Sequence, residues 1–145
     1  MVHVPYKGAP PAMNDLIAGH VAASFATSPS AVPAAKSGKV KALGVSSNQR
    51  IPPLPDVPTI AEAGVPGYEA SGYFGVMGPA GMPPALVDQI NAAMVGVVKE
   101  PAMRSSLRDI GYEVVTSSPA EYAAFVRNEV AKWSKVVKDS GAKID

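Results

Sequence analysis

Proline and glycine set the terms on which this chain can fold. Fifteen prolines and thirteen glycines among 145 residues cut the first half into short apolar runs, sized for strands and brief helices. Val2, Val4 and Tyr6 alternate with His3 and Pro5, which predicts a short strand whose proline marks an edge or an end. Pro10 and Pro11 suit a first helical turn. Met13, Leu16 and Ile17 then share one helical face, and Gly19 stops the helix. His20–Ala26 is small and mostly apolar on both faces, the pattern of a buried parallel strand. A short helix over 29–37, ended by Gly38, and a third strand over 39–46 follow. Strand, helix, strand, helix, strand with connections this long predicts crossovers and a parallel sheet of βαβ units, an α/β fold.

The middle of the chain is rich in turns: Pro52, Pro53, Pro55, Pro58, Gly64, Pro66, Gly67 and Gly72 lie close together. Within them Thr59-x-x-Glu62 resembles a capping box on a helix of one or two turns ended by Gly64. Residues 73–78 are predicted as a fourth strand, and 79–83 as a connector. The last third reads as helical. Leu86, Ile90, Met94, Val97 and Val98 form an apolar stripe, and a shorter helix carries Met103, Leu107 and Ile110 with Gly111 as its stop. After a short strand over 112–116, Ser118-x-x-Glu121 with Pro119 is a second capping box. It opens a helix that runs to about residue 140, where Gly141 ends it.

Several function classes drop out. Thirteen Lys and Arg against twelve Asp and Glu leave a net charge of +1, with no field to draw nucleic acid or anionic lipid. With no cysteine, disulfides, thiolate–zinc sites and thiol nucleophiles are excluded. No apolar run approaches the ~20 residues that span a membrane. The sequence has no nucleophile-elbow, phosphate-loop or zinc-protease motif. His3 and His20 read as exposed or structural, without a carboxylate at ligand spacing. Asp15, Asp56 and Asp88 are explained by turn chemistry. Lys132, Lys135 and Lys138 read as a solvated helix face, and Trp133 with Phe125 and Tyr122 as helix packing.

One corner points to binding. Lys7-Gly8-Ala9-Pro10 joins a strand end to a helix start. A helix N-terminus offers unpaired N–H groups and the positive end of the dipole, which favour an anion. Gly8 lets a ligand approach the backbone. Thr27 and Ser28 supply hydroxyls at the next strand end, where ligands of such sheets bind.

Six stretches, in chain order, resemble one family. They are 4–8 (VPYKG), 14–19 (NDLIAG), 37–45 (SGKVKALGV), Arg50 with 54–64 (LPDVPTIAEAG), 74–83 (FGVMGPAGMP) and 133–138 (WSKVVK). Together they resemble the Bug-type extracytoplasmic solute-binding receptors of tripartite tricarboxylate transporters, over essentially the whole chain, with 54–64 the most specific segment. The resemblance implies a type II periplasmic-binding-protein architecture, two α/β domains joined by crossing strands with the ligand in the cleft. It implies a non-catalytic periplasmic receptor, without metal or cofactor, that captures a small mono- or dicarboxylate and passes it to membrane transporter subunits. The matching ligand-binding positions are Lys7, Gly8, Ala9 and Pro10, then Thr27 and Ser28, with Tyr73 and Phe74 lining the cleft.

Family chains are about twice as long. By the same mapping, 1–72 is an incomplete ligand-binding second domain, 73–83 the crossover or hinge, and 84–145 the C-terminal portion of the first domain. The chain as written is therefore expected to begin inside that second domain, without a signal peptide. The family often carries an acidic residue in the 20–26 strand and Asp or Asn after it; here stand Ala22, Ala23, Ala26 and Thr27. Two other readings remain at this stage. One is a truncated remnant that has lost binding and persists as a compact or oligomeric α/β fold, the apolar faces of helices 84–99 and 119–140 favouring self-association or a new internal packing. The other is a small α/β hydrolase, against which the lack of a nucleophile–base pair counts.

Overall fold

The computed structural model describes residues 2–141. Five helices order the chain: α1 (Ala9–Ile17), α2 (Ser28–Lys36), α3 (Pro84–Lys99), α4 (Pro101–Asp109) and α5 (Pro119–Ser140). The chain divides into two compact units. The first joins Met1–Gly75 with Pro101–Val114, and the second joins Val76–Glu100 with the chain from Val115 onward. Residues 101–114, grouped by sequence with 84–145, thus cluster with the first unit.

The helices start and stop where the punctuation predicts. Prolines occupy the first turns of α1, α2, α3 and α5. Three helices end in the same hydrogen-bonded turn, in which the second residue past the cap reaches back to the last turn. In α1, Gly19 N donates to Leu16 O (3.1 Å) and His20 N to Asp15 O (2.9 Å). In α2, Gly38 N donates to Ala35 O and Lys39 N to Ala34 O, both at 3.0 Å. In α4, Gly111 N donates to Arg108 O and Tyr112 N to Leu107 O, both at 2.9 Å.

The predicted sheet is a correction. None of the segments 2–6, 20–26, 39–46, 73–78 and 112–116 forms a ladder among the described residues, where β-pairing is confined to one parallel bridge, Val45 with Thr59. No ladder among the described residues bears out the parallel βαβ arrangement. The reason is the range of the hydrogen bonds. A helix closes its own, whereas a strand exists only beside a second extended segment ~4.8 Å away. Several of these segments instead face solvent: Val2 is 92%, Phe25 87% and Phe74 78% exposed.

In the first unit, α1 packs on α2, and the buried apolar side chains are Met13 on α1 and Val32 and Ala34 on α2. The segment 54–64 is a second structural centre. Thr59 is 2% exposed, and its capping box with Glu62 is complete: Thr59 N donates to Glu62 Oε2 (2.8 Å) and Glu62 N to Thr59 Oγ1 (3.0 Å). It closes a single turn, because Ala63 N already bonds Thr59 O and Gly64 follows. Arg50 Nε donates to the same Glu62 oxygen (2.9 Å) and its Nη1 to Pro55 O (3.2 Å). Those bonds hold the Glu62 carboxyl below its ordinary range, the Thr59 amide most strongly and Arg50 next. Val45 lies alongside, its N donating to Pro58 O and its O accepting from Ile60 N, both at 2.9 Å.

In the second unit, α3 packs on α5. Asn91 Nδ2 donates to Ser117 O (3.0 Å), tying α3 to the start of α5. The Ser118–Glu121 box is formed, and its amide bond lowers the Glu121 carboxyl. No described side chain of this unit is buried. Among the described residues, no helix is long and apolar enough to cross a membrane.

Candidate functional site

All eight sequence-predicted site residues lie in the first unit. Gly8 is the N-cap of α1, with φ 109° and ψ 173° and no side-chain cap. That backbone region is almost closed to any residue but glycine. It turns the chain from the extended segment into the helix. Pro10 and Pro11 have no N–H, so the donors at this helix end reduce to the amides of Gly8 and Ala9. Pro10 therefore shapes the corner and cannot bond an anion. Lys7 and Gly8 are exposed and Ala9 half-buried.

Thr27 is the N-cap of α2, extended at φ −69° and ψ 147°, and its hydroxyl makes no capping bond. Its carbonyl accepts from Ser30 N and Ala31 N, both at 3.0 Å. The structure joins this helix start to Phe74 through Gly111 and Tyr112, which the sequence predicts as a helix stop and the first residue of a strand over 112–116. A Cβ on Gly111 would stand 2.8 Å from Ser28 Cβ. The ring of its neighbour Tyr112 meets Phe74 edge-on at 5.5 Å. Tyr73 is exposed by 43%.

A further cluster stands beside the Gly8 corner. Tyr6 donates its hydroxyl to Asp15 Oδ2 (2.6 Å), and His20 Nδ1 lies 3.3 Å from Asp15 Oδ1. The Asp15 carboxyl is held below its ordinary range, by the Tyr6 bond first and His20 second. The same Asp15 bond raises the Tyr6 phenol. Sequence reading missed this pairing because it looked for metal-ligand spacing. The available signal was the helix stop itself, since a glycine-ended turn folds the second residue after the cap back over the last turn. Asp15 and His20 occupy those two positions.

Two open apolar depressions occur elsewhere, both in the second unit. One of about 540 Å³ follows α5 at Val130, Trp133 and Val137, and one of about 260 Å³ follows α3 at Met94, Val97 and Val98. Neither includes a predicted site residue. Among the described residues, no three His, Asp or Glu side chains are grouped to hold a metal ion.

The model of the tripartite tricarboxylate transporter family receptor matches residues 1–142. The chain belongs to this receptor family. A relative from Pseudomonas knackmussii is 35% identical over 138 residues, covering 94% of this chain and 82% of its own length. Among solved structures, an R. palustris protein with adipate is 38% identical with a TM-score of 0.87, the match covering 95% of this chain and 46% of that one. MatC from Rhodopseudomonas palustris with bound malate is 34% identical at 0.77, covering 92% and 47%. The periplasmic binding protein BugD is 31% identical at 0.84, covering 99% and 48%. The chain spans less than half the length of these three structures, and 41% and 43% of two curated relatives of the family. The likeness to periplasmic binding proteins thus holds although no β-ladder forms among the described residues.

Proposed function

We propose that this chain supplies one wall of a receptor cleft that captures a small mono- or dicarboxylate without chemistry. In this reading the Gly8 and Ala9 amides bond one carboxylate group, with Lys7 adding positive charge and Pro10 fixing the turn. Thr27 and Ser28 add hydroxyls, and Tyr73 and Phe74 form an apolar side to the cleft. The receptor works in the periplasm and delivers its ligand to membrane transporter subunits.

The observation that carries the reading is the match, over nearly the whole chain, to solved structures described with adipate and with malate. Local geometry supports it: the α1 corner is uncapped, and the Thr27 hydroxyl is not spent on its own helix. Two amides and two hydroxyls suit a carboxylate, which accepts up to about four hydrogen bonds. The test is thermal unfolding with adipate, malate and a neutral diol of equal length. One wall of a cleft predicts weak binding, with Kd of ~1 mM or above. At tenfold excess over Kd, binding adds ~1.4 kcal/mol and raises the midpoint by roughly 3–6 °C. A diacid that shifts the midpoint no more than the diol contradicts the reading.

A further inference from the structure

The Tyr6–Asp15 pair lies outside the eight residues assigned to the site, yet it spans the corner that carries it. Tyr6 stands two residues before Gly8, and Asp15 lies within the helix that Gly8 opens. Among the described residues, no other hydrogen bond ties the segment 2–7 to the rest of the chain. Gly8, as a glycine, has access to many backbone conformations besides the one it holds, and no side chain caps the helix. The direction in which the chain enters Gly8, and so the orientation of the Gly8 amide, then depends on where Tyr6 is pinned. Asp15 is pinned in turn. It is the residue to which His20 returns, through its backbone amide (2.9 Å) and its ring.

We infer that Tyr6 and Asp15 are positioning residues for the anion corner: the Tyr6 hydroxyl, held by the Asp15 carboxylate, fixes the entry into Gly8 and with it the direction in which the Gly8 amide is presented at the helix start. Neither residue touches the ligand. The Tyr6 hydroxyl already donates its hydrogen bond to Asp15, and a carboxylate at Asp15 repels an anionic ligand. The inference rests on the receptor reading for its consequence, but its geometric core does not. The phenol ring and the helix remain if the hydroxyl alone is removed, which separates positioning from folding.

The experiment uses the full chain and the variants Tyr6→Phe, Asp15→Ala and the double variant, followed by amide-resolved NMR with and without adipate. Without ligand, Tyr6→Phe is expected to shift the Gly8 and Ala9 amides and to speed exchange of the Ala12 amide, while the chain still unfolds cooperatively with its midpoint lowered by only a few degrees. With adipate, each single variant is expected to bind roughly 3- to 10-fold more weakly, and the double variant no more weakly than either. Ligand-free Gly8 and Ala9 resonances unchanged by Tyr6→Phe overturn the inference, whatever adipate does. So does Tyr6→Phe binding adipate as tightly as the parent. A parent that ignores adipate while Tyr6→Phe still moves Gly8 fails the receptor reading and upholds the positioning.

Discussion

Gly8 concentrates the residue-scale argument. A Cβ there would meet nothing closer than Pro10 Cδ at 3.8 Å, so space is not the constraint. The constraint is φ 109° with ψ 173°, which an L side chain adopts at a cost of ~1–3 kcal/mol. Gly8→Ala is expected to lower stability by that amount or to rotate the corner, and in either case to weaken adipate binding. Equal stability and equal binding contradict it. The Tyr6–Asp15 bond predicts two arms in the pH profile. Asp15 is depressed below its ordinary 3.8, so its contribution is complete above 3.8 and is lost as pH falls through the lower folded value. Tyr6 is raised above its ordinary 10.0, so its contribution is complete below 10.0 and is lost as pH rises through the higher folded value. Stability measured against pH for the parent and Tyr6→Phe is expected to converge at both ends and separate between them, less so in high salt because the pair is at the surface. A constant offset at every pH counts against it.

At the scale of elements, legibility divides by the range of the hydrogen bonds. Helices could be read because their signals are local. Pro84 and Lys99 bound α3 as the sequence predicts, and Ser118, Pro119 and Gly141 bound α5. Gly19, Gly38 and Gly111 each stop a helix. Strands could not be read in the same way. His20–Ala26 has the composition of a buried parallel strand, but composition supplies no partner, and Phe25 faces solvent. Of the site, the helix-start corners at Gly8 and Thr27 were legible. The links through Gly111 and Tyr112 were not, because α4 returns to the first unit from far along the chain. Capping gives an element-scale prediction. Ser118 accepts the Glu121 amide at 3.2 Å, so Ser118→Ala is expected to destabilise by ~1 kcal/mol and to speed amide exchange in the first turn of α5. Unchanged exchange there contradicts the assigned cap.

For the whole molecule, the two units divide the labour differently. The first holds the buried side chains and every proposed ligand contact. The second has helices packed on one another with apolar faces open to solvent; Leu86, Ile90, Met94 and Val97 on α3 are each about two-fifths to one-half exposed. A continuous stripe of that kind drives association or dye binding. The chain is expected to brighten an apolar dye and to scatter light as a self-associating species. Val97→Lys is expected to reduce both without lowering the unfolding midpoint, and a dye-silent monomer at high concentration contradicts this.

The central claim is that carboxylate capture belongs to the first unit, at the Gly8 corner. An amide-resolved NMR titration of the chain with adipate tests it most directly. The account predicts saturable shifts centred on Gly8, Ala9, Thr27 and Ser28, with smaller ones at Tyr73 and Phe74. Shifts centred instead on Trp133 and Val137 of α5, or none at saturating adipate, contradict it.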